Sequence, residues 1–201
     1  TLSYRLGDYD DLGILYAAAL ESVGIKTALI PLPDDFIVAF NLEITPSQAE
    51  SLFNDTGNLL TINNEIWMPV SLSVIRQGFV NCWYAAVKSI TNAVAENHDI
   101  DVVILQDAWQ IYPPSGIRGY EAGFQKPLES TVVRAVETDT MRYIAAEFGP
   151  KIKAVQEQIT GTGGSVYLYN ELGLLYVRAG MYDEAKTEFE KSVLLGSAAA
   201  L

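Results

Sequence analysis

Gly7-Asp8-Tyr9-Asp10-Asp11-Leu12, running into an apolar stretch that ends at Val23, is the segment around which the chain organises. Asp8 can cap a first turn and Asp11 follows three residues later, so two short acids meet the free N–H groups at the positive end of a helix dipole. A helix starts here. Leu12, Leu15, Ala19, Leu20 and Val23 fall on one stripe at helical spacing, and Gly24 supplies a left-handed stop. The stripe predicts a core helix. Tyr9 occupies the first turn, where a helix N-terminus stabilises an anion and where several enzyme families place a nucleophile. Here that place holds a phenol.

The 201 residues are 49% hydrophobic, which gives room for one domain of ~150 residues with a sizeable core and a small appendage. A net charge of −12 without any run of Lys or Arg excludes nucleic acid and anionic membrane surfaces as natural partners. Basic protein surfaces or cations suit the charge better. A single cysteine, Cys82, rules out an internal disulfide framework. No apolar stretch reaches the ~18–20 residues needed to span a bilayer. The chain begins at Thr1, and the expectation is a piece of a longer protein whose targeting segment lies elsewhere.

Beyond Gly24 the pattern changes to strands. Residues 26–31 and 36–42 are apolar runs separated by Pro33-Asp34-Asp35, which reads as a hairpin. Residues 46–53 read as one or two helical turns capped by Thr45 or Ser47. A second hairpin pairs 59–62 with 66–70 across Asn63-Asn64-Glu65. From 74 to 95, Ile75, Phe79, Cys82, Trp83, Ala86, Val87 and Ile90 keep helical spacing and predict a long helix with one buried face. Residues 102–105 read as one more strand. The predicted class is α+β, with the first helix packed on an antiparallel sheet.

Three stretches in this order resemble the transglutaminase-like superfamily of papain-type cysteine enzymes: Gly7-Asp8-Tyr9-Asp10-Asp11-Leu12, Pro33-Asp34-Asp35-Phe36-Ile37-Val38-Ala39-Phe40, and Ile66-Trp67-Met68-Pro69-Val70-Ser71. In that family the helix opens Gly-Asp-Cys-Asp/Glu-Asp-Leu, the strand opens Pro-Gly-His, and a Trp-x-Pro-Val stretch leads into an acid. The resemblance covers residues 1–95 and implies a papain-like core. It also implies a thiolate on the helix N-terminus, a histidine that moves the proton and an acid that orients the ring. Matched residue by residue, the cysteine position is Tyr9, the histidine position Asp35 and the acid position Ser71. Each replacement removes function. A phenol with a reference pKa of about 10 is not ionised at neutral pH, and a carboxylate of reference pKa about 3.9 is a weak base for it.

The other reactive residues have plain readings. The only histidine, His98, lies in a polar Glu-Asn-His-Asp stretch outside the matched hairpin and reads as a surface residue. Cys82 falls on an apolar helix face and reads as a small buried hydrophobe. Tyr9 reads as an aromatic filling the space left by a thiol and an imidazole, its hydroxyl bonded to a neighbour. If the hairpin lies against the helix start, Asp34 and Asp35 join Asp8, Asp10 and Asp11, and such carboxylates can hold Ca²⁺. Capping and turn chemistry account for the same acids, the calcium-loop spacing is absent, and neither metal nor cofactor is expected.

The second half is helical. Trp109, Tyr112 and Pro113-Pro114 open a loop running to Phe124, read as a linker packing back on the first domain because large aromatics are costly to leave in water. Residues 128–148 and 152–159 have helical composition around a break at Gly149-Pro150, and 161–164 is a turn. Residues 166–197 resemble one tetratricopeptide repeat. Tyr169, Leu172, Gly173, Tyr176, Gly180, Tyr182, Ala185 and Phe189 take the pattern positions, while Ser192 and Ser197 replace the later Ala and Pro. Such repeats are stable when stacked. Either further repeats lie elsewhere and form a peptide-binding array, or the upstream helices supply the neighbouring layer of a self-capped unit.

Two domains are expected, 1–125 transglutaminase-like and 126–201 helical. The resemblance implies a non-catalytic scaffold that binds a protein or peptide through the helical-repeat region. The other class is a cysteine peptidase or acyl transferase with a rearranged nucleophile, which needs a new nucleophile and a new base together. An envelope or periplasmic location follows only by analogy with relatives of this domain pair.

Overall fold

The computed structural model describes residues 7–115 and 126–198, and the chain divides into two compact units, Thr1–Asp139 and Thr140–Leu201. The protein is mixed α+β, with a five-stranded antiparallel sheet in the first unit and a helical C-terminal region. The domain boundary at 125/126 borders residues 116–125, which lie outside the described residues.

The opening segment behaves as its acids dictate. Asp8 caps helix α1, Tyr9–Glu21, and its carboxylate accepts from the Asp11 backbone N–H at 3.1 Å. The buried face is not the predicted stripe. Gly13 and Ala17 are the buried residues, Leu12 and Leu15 are half-buried, and Ala19 and Val23 are exposed. The reason is close approach: a methyl group at Gly13 would sit 2.6 Å from the Phe36 ring, so the helix lies on the sheet through its small residues while larger side chains flank the contact.

Strands β1, Thr27–Pro31, and β2, Phe36–Asn41, form the first hairpin, with Pro31 opposite Phe36. Helix α2, Pro46–Leu52, carries a full capping box between Thr45 and Gln48. Strands β3, Leu60–Ile62, and β4, Glu65–Ser71, form the second, turning on Asn63 and Asn64 at φ of 52° and 63°. Both turn residues are in the left-handed region that a two-residue hairpin turn demands and asparagine tolerates. The sheet order is β3-β4-β2-β1 and then β5, Val103–Ile104, shorter than predicted because Leu105 already begins helix α4, Leu105–Ile111. Trp109 therefore sits on a helix rather than in a loop. Tyr112 is 77% exposed, so it does not pack back on the domain, and the rest of that loop from 116 lies outside the described residues.

The long helix begins later than its apolar spacing predicts. Residues 72–77 form a 3-10 segment kinked at Val74, Gly78 takes φ of 90°, and helix α3 runs Phe79–Ala95. Ile75, on the kinked segment, is exposed. Alternate residues of β2 feed two packing faces. Phe36 and Val38 approach Gly13 of α1. Ile37 and Ala39 share a core with Ala28, Ile30, Trp67 and Ala86 of α3. At about 25 cal/mol per Å² of apolar surface removed from water, this two-sided burial is the main favourable term of the unit.

Helix α5, Glu129–Glu147, is followed directly by α6, Gly149–Thr162, with Pro150 in its first turn. Helices α7, Val166–Arg178, and α8, Tyr182–Ala198, form an antiparallel hairpin through Gly180 at φ of 74°. Val155 of α6 shares a core with Leu172, Leu175, Tyr176 and Ala185, so α6 supplies a third layer against the hairpin. Gly173 is where α7 and α8 come closest, since an added methyl there would lie 2.6 Å from the Phe189 ring. Tyr182 is the pattern residue that stays out of the core, at 69% exposure. Ser192, at the pattern's Ala position, is buried and donates its hydroxyl to the Val166 carbonyl at 3.1 Å.

Candidate functional site

Two of the three matched positions meet. Asp35 closes the β1–β2 turn and Ser71 ends β4, directly opposite Ile37, so their side chains share one face of the sheet. Asp35 Oδ1 accepts from Ser71 Oγ at 3.0 Å and from the Phe36 N–H at 2.9 Å, and Oδ2 accepts from Ser89 Oγ of α3 at 2.9 Å. Ser73 and Ser71 hydroxyls lie 2.6 Å apart, and because the Ser71 proton points to Asp35, Ser73 is the donor there. The chain of donation runs Ser73 to Ser71 to Asp35, with Ser89 closing it from the helix. Asp35 is 7% exposed and Ser71 is fully buried.

Tyr9 does not reach this cluster. It opens α1, which packs on the Phe36 and Val38 side of β2, whereas Asp35 and Ser71 lie on the Ile37 side that faces α3. Tyr9 is 39% exposed, and no hydrogen bond joins its hydroxyl to a described residue. The expected approach of Asp35 to the helix start is thus replaced by separation across the strand. Among the described residues no group of three His, Cys, Asp or Glu side chains is placed to hold a metal ion.

Ser89 is the partner that sequence reasoning missed. Its only signal was its place three residues after Ala86, on the sheet-facing side of a helix where a polar residue needs an acceptor. A small hollow of about 100 Å³ also brings His98 and Glu96 to the rim beside Asp34, Asp35 and Asn92. His98 is a surface residue whose Nε2 lies 3.2 Å from Glu96 Oε2. The hydroxyls of Ser71 and Ser89 both give their protons to the Asp35 carboxylate, and no imidazole takes part in the cluster's hydrogen bonds among the described residues.

Cys82 is buried in a cluster with Val70, Leu72 and, more peripherally, Leu12 and Tyr16. Burial pushes its thiol pKa up, the Asp139 carboxylate pushes it further, and a backbone hydrogen bond offsets part of this. Tyr16 is raised as well, first by burial and then by Cys82. A thiol held neutral in an apolar cluster is a packing residue.

The helical unit offers a different kind of surface. A groove runs between α6 and α7, lined by Ala154, Gln158, Tyr167, Asn170 and Leu174, with Lys151 and Arg178 at one end. The antiparallel course of α6 and α7 brings these two cations together, since each stands at the helix end farthest from the 163–165 turn. Leu174 and Tyr167 are 59% and 71% exposed, so large apolar surface faces solvent inside a concavity. No helix among the described residues is long and apolar enough to cross a membrane. Comparison with family models, with curated proteins and with solved structures found no match to this chain.

Proposed function

We propose that this chain is a non-catalytic transglutaminase-like domain coupled to a tetratricopeptide-type helical module, and that it works by binding a segment of another protein in the α6–α7 groove. The carrying observation is that groove, which leaves the large apolar side chains of Leu174 and Tyr167 exposed inside a concavity. A concave surface with apolar floor and few placed polar groups is the usual form of a recognition site. The occupant has complementary chemistry: large apolar side chains that cover Leu174 and Tyr167.

Against an enzymatic role stands the use of the matched positions. Asp35 and Ser71 spend their hydrogen bonds on each other and on Ser89, and Tyr9 lies on the other side of β2. Selection of a random peptide library on the full chain tests the binding role. Enriched peptides are expected to share a large apolar anchor, and to lose retention on a Leu174→Glu chain. Enrichment that is unchanged by Leu174→Glu would overturn the assignment of the groove.

A further inference from the structure

Helix α8 carries a second apolar stripe, on a groove distinct from the one just described. Tyr182, Phe189, Val193 and Leu194 line it, with Lys186 and Glu190 one turn apart. Tyr182, Val193 and Leu194 are each 69% exposed, and Val177 of α7 borders the same groove. Lys186 Nζ and Glu190 Oε1 lie 3.9 Å apart within the helix, and both side chains remain largely open to solvent.

We infer that this face pairs with the same face of a second copy of the chain, α8 against α8 in antiparallel fashion. The stripe is self-complementary. An antiparallel pairing centred at the level of Glu188 places Tyr182 against the second copy's Leu194 and Lys186 against its Glu190, and the two-fold repeats both contacts. The order aromatic, cation, anion, aliphatic at one-turn steps thus meets its own reverse without a like-charge clash. A pairing shifted by one turn would set Lys186 against Lys186 or Glu190 against Glu190, so the charges fix the register.

The paired face spans thirteen residues from Tyr182 to Leu194, about 18 Å of a single helix, and one helix face about 10 Å wide over that length offers far less than the roughly 800 Å² per partner that a tight complex uses. The net charge of −12 on each copy also opposes approach. The dimer is therefore of the weak, concentration-dependent class, held by the apolar stripe and aligned by the two ion pairs.

Sedimentation velocity on the full chain, over a series from about 1 µM to about 1 mM, tests this. The weight-average mass is expected to rise from 22.0 kDa toward twice that value. Leu194→Asp, at an exposed position that leaves the helix core intact, is expected to hold the chain monomeric throughout. Lys186→Glu and Glu190→Lys chains are each expected to self-associate about tenfold or more weakly, because each places like charges across the two-fold. A one-to-one mixture of those two variants restores opposite charges at both contacts, and dimer formation is expected to return to at least the unaltered level. A monomer at all concentrations, association that survives Leu194→Asp, or a mixture no better than its components would each overturn the pairing.

Discussion

Removing the Asp35 carboxylate has a size that can be worked from its partners. Asp35→Ala leaves the Ser71 hydroxyl, the Phe36 N–H and the Ser89 hydroxyl without their acceptor. Ser71 is fully buried, so its proton has no access to water, whereas Ser89 is half-buried and can turn away. An orphaned buried donor costs about 1–3 kcal/mol. Because the Ser71 hydroxyl can turn to Ser73 Oγ, each of the three is counted at the low end, which gives a loss of about 3 kcal/mol, or roughly a 10 °C fall in Tm for a unit of this size. Asp35→Asn is the control. Its Oδ1 can still accept from Ser71 and Phe36, and its amide can donate to Ser89, so the expected loss stays below about 1.5 kcal/mol. Urea unfolding followed by circular dichroism measures both variants. An alanine variant within 0.5 kcal/mol of the unaltered protein, about the scatter of neutral surface changes, would refute the structural role, as would an asparagine variant equal to the alanine one.

Four further outcomes follow from packing and burial. Gly173→Ala is expected to lose about 1–2 kcal/mol on thermal unfolding, because the clash with Phe189 outweighs the roughly 1 kcal/mol that alanine adds to a helix, and Phe189→Leu is expected to relieve most of it. Gly13→Ala is expected to behave alike, with Phe36→Leu as its relief, read in the melt of the sheet domain. For Cys82 and Tyr16 the native pKa values lie above the unfolded ones, so their contribution to stability is complete at neutral pH and is lost as pH rises through the raised native values. Unfolding free energy should therefore fall above about pH 8.5, the unfolded thiol value, and Cys82→Ala should flatten the first part of that fall. Labelling of native Cys82 by iodoacetamide, read by intact mass, should stay slow at pH 8, and rapid labelling would contradict its burial.

Much of the frame was legible because local chemistry announced it. Asp8 and Thr45 are caps, Asn63-Asn64 is a two-residue turn, and the apolar runs on either side of Pro33-Asp34-Asp35 are hairpin strands. The misses share one cause, which is that tertiary contact chooses among faces that sequence leaves equal. On α1 both a leucine stripe and a Gly13–Ala17 stripe exist, and the Phe36 ring selects the small one. On the third helix, apolar spacing runs through Gly78, but the positive φ there ends one element and starts another. The site was half legible. Asp35 and Ser71 were placed together by the order of motifs, yet the side of β2 on which Asp35 points depends on residue parity at the turn, and one residue decides whether it faces α1 or α3. Ser89 gave no pattern of its own. The α6–α7 groove depended on α6 serving as the third layer, a matter of long-range packing between Val155 and Leu172.

The most direct measurement is calorimetric titration of one library-selected peptide into four forms of the full chain: unaltered, Leu174→Glu, Tyr167→Glu and Asp35→Asn. Binding is expected to weaken by about tenfold or more in Leu174→Glu and Tyr167→Glu, which lose the exposed apolar surface of the groove, and to be unchanged in Asp35→Asn. Binding that is lost in Asp35→Asn but kept in both groove variants would contradict recognition in the groove, and would place it at the Asp35 cluster instead.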